Sequence, residues 1–284
     1  MSEKVDKLLK LFNSGVNVYD LEHVRYPGMP AFDPVKPGLE YFLYRHHESY
    51  YLPETNGPRT SASGLIIMSD QSGTHMDALC HQASDLKFHD GTKVTPEVET
   101  PWGFNKLAAH NLPFVIRRGV LVDVAKKFGD PLPPDHEITL EEFQSTVASE
   151  GIEFGKEDVV LVRTGYGKHW NDPEKYEKAA GVSKEVSQHL VGKCFAVGSD
   201  NLAWDVPHVR DPETYSLLPG HLYLLARAGI YIIENINLEE LSKNNVHEFL
   251  FLAFPLKFKG ATIMPSVMKD PLAIGASKSY SLYA

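Results

Sequence analysis

Apolar residues in this chain fall in short unbroken runs, separated by polar, glycine- and proline-rich stretches. Val120-Leu121-Val122-Asp123-Val124 and Val159-Val160-Leu161-Val162-Arg163 read as core strands, since a run of this length with no alternation suits a strand covered on both faces. Cys194-Phe195-Ala196-Val197-Gly198 predicts a buried strand ending at Ser199-Asp200, and Ile230-Tyr231-Ile232-Ile233-Glu234 predicts another. Residues 16–21 alternate as a strand does, residues 63–69 form a short apolar strand, and residues 249–257 and 261–264 supply late strands. Helical spacing is confined to a few places. Residues 3–13 carry Val5, Leu8, Leu9, Leu11 and Phe12 on an amphipathic pattern. Thr139-Leu140-Glu141-Glu142 has the spacing of a capping box and starts a helix ending near Gly151. Shorter helices are expected at 183–190, at 221–228 before Gly229, and from Leu238. Residues 35–60 are aromatic but aperiodic and read as an irregular stretch, either a pocket wall or a packing or subunit contact. Strands and helices are mixed without regular βαβ spacing. The expected fold is therefore α/β, a single domain over residues 1–284 with curled mixed sheets rather than a doubly wound one.

The 284 residues are 43% hydrophobic and 23% charged, which suits a globular protein with a sizeable core. A formal net charge of −9 argues against a nucleic-acid partner, whose phosphates reward local Lys and Arg excess. Arg117-Arg118 and Lys126-Lys127 are isolated basic pairs and read as solvated surface. No apolar run approaches the roughly 18 residues that a membrane span requires, and the N-terminus lacks the shape of a signal peptide. Cys80 and Cys194 are expected as free thiols, in keeping with a cytoplasmic protein.

Chemistry concentrates in Gln71-Ser72-Gly73-Thr74-His75-Met76-Asp77-Ala78-Leu79-Cys80-His81. His75 and Asp77 are two apart, so on an extended segment both side chains lie on one face and can share a divalent ion. Gln71 can offer its amide oxygen if the turn at Gly73 folds it back. This set leaves a coordination position open, as a catalytic metal requires, with His81 free to act as a base. A second pair is His221 and Glu234. Glu234 ends an apolar strand, where a buried carboxylate is costly unless paired or bound to a cation. Taken alone, a histidine such as His221 or His89 carries little positional information.

The stretch Gly73-Thr74-His75-Met76-Asp77-Ala78-Leu79-Cys80-His81 resembles the signature His-x-Gly-Thr-His-x-Asp-x-Pro-x-His of the metal-dependent cyclase-like hydrolases, the group of kynurenine formamidase and isatin hydrolase. Tyr19-Asp20-Leu21, residues 118–124, Arg163-Thr164-Gly165, Glu234-Asn235-Ile236 and residues 254–261 look like its further landmarks. The resemblance implies a swivelling β/β/α fold, a homo-oligomer (dimer or tetramer) and a small-molecule substrate. It implies that His75 and Asp77 bind metal, that His81 is the catalytic base, that His221 either binds a second zinc or assists catalysis, and that Glu234 completes the catalytic site. Two positions depart from the pattern. Leu79 stands where it has proline. Gln71 stands where it has its first histidine, and an amide oxygen is a harder ligand, which favours one Mn²⁺ over Zn²⁺. The expected activity is hydrolysis of the C–N bond of a cyclic or aryl amide, aromatic if Tyr41, Tyr44 and Trp204 face the site. The same centre could attack a lactone or other ester. A non-catalytic metal- or small-molecule-binding protein is the reading from a different class.

Overall fold

Among the described residues, fourteen strands form in the order β1 (Tyr19–Asp20), β2 (Leu39–Arg45), β3 (Ser63–Met68), β4 (His75–Asp77), β5 (Glu99–Thr100), β6 (Gly103–Phe104), β7 (Val115–Val122), β8 (Glu137–Ile138), β9 (Val159–Val162), β10 (Gly181–Val182), β11 (Ala196–Ser199), β12 (Tyr231–Glu234), β13 (Glu248–Pro255) and β14 (Ile263–Asp270). The helices include α1 (Val124–Phe128), α2 (Leu140–Glu150), α3 (Lys184–Leu190), α4 (His221–Ala228) and α5 (Glu239–Lys243). The computed structural model describes residues 17–270 together with Asp6 and Lys10. Most of the helix expected over residues 3–13, and the first residue of the expected opening strand, lie outside the described residues.

The main sheet has the order β1-β14-β13-β7-β9-β11-β12-β4, and β4 pairs again with β14. These pairings close a ring of seven strands, with β1 attached to β14. The sheet is mixed, as expected. β7, β9, β11 and β12 are mutually parallel, while β13, β14 and β4 run antiparallel to their neighbours.

The apolar runs of the central strands serve two cores at once, because successive strand side chains leave on opposite faces. Val120, Val122, Val160, Val162 and Ile232 pack with Phe143 of α2, Leu190 of α3 and Leu224 of α4. Leu121, Val159, Leu161 and Ile233 join Met76 and the β13 residues Phe249 and Phe251 in a second core. This alternation places the chemistry. Met76 and Ile233 lie in the second core, so His75, Asp77 and Glu234 emerge on the face that carries α2, α3 and α4.

α2 begins with a complete capping box between Thr139 and Glu142 and ends at Gly151 in the left-handed region, as its sequence predicts. α4 differs from the expected α-helix in having π-type hydrogen bonding through all eight residues before Gly229. The stretch expected to be irregular contains β2, paired antiparallel with β3. Its apolar residues occupy both faces, so no period marks it. Arg117-Arg118 is not simply solvated. Arg118 grips Asp158 through Nε and Nη2 (3.2 and 2.7 Å) and bonds Glu248, while Arg117 lies 3.9 Å over the Phe195 ring.

His23 carries a pH signature of the fold. It is 7% exposed, stacks on Trp170 at 4.5 Å, and its Nε2 has no hydrogen-bond partner. Burial, helped by the charge of Arg25 and opposed by a backbone hydrogen bond at Ile236, lowers its pKa from 6.5 to about 4. Between these values the unfolded chain binds the extra proton, so stability falls as pH drops from about 6.5 to 4. His23 is expected to contribute up to ~3 kcal/mol to that loss. Denaturant melts of wild type and His23→Phe over this range check it: the variant should lose less stability on acidification, and parallel curves would refute the assignment.

Candidate metal centre

In the β4–β12 pairing His75 stands directly opposite Glu234, so both side chains share one face beside Asp77. α4 brings His221 to the same point. His75 Nε2 lies 3.1 Å from Glu234 Oε2 and 3.7 Å from Asp77 Oδ1. His221 Nε2 lies 3.2 Å from Glu234 Oε1 and 3.5 Å from Asp77 Oδ2. Despite these separations, His75 Nε2, both Asp77 oxygens and Glu234 Oε1 make no hydrogen bond with acceptable geometry. All four residues are buried. Buried polar atoms are nearly always satisfied. Atoms that are close together but not aimed at one another are arranged as donors around a shared cation.

The outer ring nitrogens are held from behind. His75 Nδ1 is 2.7 Å from the Gly73 carbonyl, which can only accept, so Nδ1 carries the proton. His221 Nδ1 is likewise 2.9 Å from Asp205 Oδ2. Each bond directs the Nε2 of its ring toward the carboxylates, the usual orienting device for a metal-binding histidine. Asp205 also accepts from the backbone N–H groups of Gly220 and His221, tying the start of α4 in place. A Cβ on Gly220 would sit 2.5 Å from Trp204 and 2.8 Å from Asp205 Oδ1, so only glycine admits this contact. Gly73 is required as well, with a φ of +69°.

The charges are strongly coupled. Burial and the Glu234 charge raise the Asp77 pKa to about 7 against the pull of His221 and His75. Burial opposes ionisation of Glu234 too, but the adjacent His221 and His75 imidazoles hold its pKa well below the usual carboxylate range. Burial would lower the His221 pKa, yet Asp205 and Glu234 raise it. His81 keeps a solvent-facing edge through the cavity, but desolvation and the neighbouring His221 lower its pKa to about 4.

Donor atoms of His75, Asp77 and Glu234 lie within 4.8 Å of one another, and so do those of Asp77, His81 and His221. Asp77 belongs to both groups. His221 and Glu234, expected as catalytic groups, thus share one ring of donors with His75 and Asp77. Gln71 is half-buried and lines the same cavity as His75, His81, His221 and Glu234. The cavity holds about 210 Å³ and has an apolar wall that includes Phe32, Pro34, Val35 and Leu218. None of the described residues lining it is Lys or Arg.

Tyr41, Tyr44 and Trp204, whose placement the sequence leaves open, do not line this cavity. Trp204 is fully buried and donates to Ser187 Oγ, while Tyr41 and Tyr44 are exposed on the β2–β3 hairpin. Phe32 takes that place, on a proline-rich loop whose sequence gives no hint of its position. Asp205 has no place in the sequence reading, and Asn235 enters it only within the Glu234-Asn235-Ile236 landmark. Asp205 stands at no diagnostic spacing from His221. Asn235 donates to the Gly73 carbonyl and accepts from Tyr176 Oη.

Residues 19–206 match the Cyclase family model. The chain belongs to the Cyclase family. A search of curated proteins gave no match. Among solved structures, this cyclase-family chain is similar to one described as a novel cyclase, at 24% identity and a TM-score of 0.79, covering 95% of this chain and 93% of that one. It is also similar to an isatin hydrolase bound to the product analogue thioisatinate (22%, TM-score 0.70, coverage 95% and 98%). Isatin hydrolase A from Ralstonia solanacearum is a third (18%, TM-score 0.69, coverage 95% and 97%). These similarities establish the fold: a curled mixed sheet shared with cyclase-family structures. Imidazoles and carboxylates with orphaned donor atoms fit a divalent cation such as Mn²⁺ or Zn²⁺.

Proposed function

We propose that this protein is a metal-dependent hydrolase of a neutral cyclic or aryl amide. The observation that carries this is the convergence of unbonded donor atoms from His75, Asp77 and Glu234, joined by His221, at a cavity with an apolar wall. These residues would hold one divalent ion, with the Gln71 amide oxygen available at the cavity wall; Mn²⁺ is favoured over Zn²⁺ because the oxygen donors are hard. When bound, such an ion polarises a carbonyl and acidifies water. The apolar wall around Phe32 accepts the ring of the substrate, and the lack of Lys and Arg there favours an uncharged one. His81, neutral above about pH 4, accepts the proton of the attacking water and returns it to the leaving nitrogen. The isatin hydrolases of similar fold support the amide reading.

The test is metal analysis followed by a turnover panel on metal-loaded protein: cyclic amides, formanilides, lactones and simple esters. Amide hydrolysis that EDTA abolishes and Mn²⁺ restores is the expected result. Metal binding with no turnover on any member would leave a binding protein in its place.

We also propose that copies of the chain associate through the β2–β3 hairpin. Two-stranded hairpins are marginal alone, yet Tyr44, Leu65, Ile66 and Ile67 of this one are 45–59% exposed across both faces. No helix among the described residues is long and apolar enough to cross a membrane, so a bilayer-spanning helix does not account for this surface. Light scattering should give a multiple of 31.7 kDa for wild type, and Ile66→Glu with Ile67→Glu should shift it to the monomer mass. A monomeric wild type would exclude this assembly.

A further inference from the structure

Arg25 contributes no donor to the metal centre, but it grips the loop that presents His75. Its Nε donates to the Ser72 carbonyl at 3.1 Å and its Nη2 to the Thr74 carbonyl at 2.5 Å. Glu22 holds the third nitrogen, Nη1, at 3.0 Å. The carbonyl between the two gripped ones, that of Gly73, has different partners: His75 Nδ1 at 2.7 Å and Asn235 Nδ2 at 3.3 Å. Arg25 therefore anchors the peptide units on either side of the one whose oxygen orients the His75 ring. The fit is close. A Cβ on Gly73 would lie 2.8 Å from Arg25 Nε and 2.9 Å from its Cγ.

We propose that Arg25 is a positioning residue for the metal centre. It fixes the Ser72–Thr74 backbone so that the Gly73 carbonyl stays on His75 Nδ1 and His75 Nε2 stays aimed at the ion. A guanidinium suits the task because its planar fork reaches two carbonyls at once, where an ammonium is a single point donor. Groups that orient a metal-binding histidine typically set affinity by about 10–100-fold when lost. This inference rests on the reading of the donor cluster as a metal centre.

The experiment compares wild type, Arg25→Gln and Arg25→Lys as full chains. Mn²⁺ and Zn²⁺ are titrated calorimetrically into metal-free protein, alongside thermal melts and hydrogen exchange of the 73–75 amides. Arg25→Gln is expected to melt cooperatively, exchange these amides faster and bind metal about 10–100-fold more weakly, with Arg25→Lys in between. A lowered melting temperature with wild-type metal affinity would make Arg25 merely structural and overturn the proposal. If Arg25→Gln does not fold, wild-type affinity in folded Arg25→Lys overturns it as well. Wild type that binds neither ion would instead remove the metal centre itself, and this inference with it.

Discussion

Asp77→Asn is expected to abolish tight binding of divalent metal and at the same time to stabilise the metal-free protein. Asp77 is fully buried, and neither carboxylate oxygen has a hydrogen-bond partner. It stands beside a second carboxylate, Glu234, and the two imidazoles nearest it, His75 Nε2 and His221 Nε2, are 3.7 and 3.5 Å away. Without an ion its negative charge is poorly compensated. Burial and Glu234 push its pKa up to about 7, so ionisation costs native stability. The sign follows from proton counting. Between 3.8 and about 7 the native state holds the proton that the unfolded chain has lost, so metal-free stability falls as pH rises through that window. Asparagine keeps the shape and removes the charge. At pH 8 the metal-free variant should be more stable by about 1–2 kcal/mol, and the difference should shrink toward pH 5 as Asp77 itself protonates. With metal the order reverses. Removing a charged partner from a buried ion site costs roughly 3–5 kcal/mol, which is on the order of a 1,000-fold loss of affinity. Calorimetric melts with EDTA and with excess Mn²⁺ test both halves. A variant that melts lower without metal, or that still gains stability from Mn²⁺ as wild type does, would contradict the view that the fold tolerates a strained acid for the sake of the ion.

The same physics explains how far the sequence could be read. Runs such as Val159-Val160-Leu161-Val162 announced their strands because burial on both faces demands unbroken apolar character. Thr139 and Glu142 announced α2 because a capping box is a local device. His75 and Asp77 were legible for a local reason too: residues two apart on a strand share a face. What lay hidden depends on distant parts of the chain. Glu234 reaches His75 only through the β4–β12 register, and Asp205 reaches His221 only because Gly220 lets a buried loop approach α4. The apolar wall of the cavity includes the Phe32 loop and not the aromatic hairpin, since nothing within either segment records which one lies at the site. β2 is hard to read from sequence because a strand with apolar residues on both exposed faces has no period.

His81→Ala is expected to keep its metal and lose about 10²–10⁴-fold in kcat, the usual worth of a general base. Three observations separate His81 from the other members of the cluster. Of the five residues in the two donor groups, it alone keeps a solvent-facing edge, and it lines the cavity. The hydrogen bond found for its ring is to the neighbouring Gln82 amide at 3.2 Å, whereas His75 and His221 are locked by Gly73 and Asp205. Its pKa is lowered to about 4 by burial and the nearby His221, while those of His75 and His221 are raised. A neutral imidazole facing the cavity can take a proton at any pH above that value. The acid limb of kcat/KM due to His81 should therefore fall toward pH 4, and it should be absent from the residual activity of the variant. Asp77, His81 and His221 also have donor atoms within 4.8 Å of one another, which is the geometry of a ligand set. Metal stoichiometry and turnover, measured together on His81→Ala, separate the two roles. Bound metal with collapsed turnover makes His81 the base. Lost metal makes it a ligand and returns the proton-transfer role to another group. Full turnover removes it from the chemistry altogether.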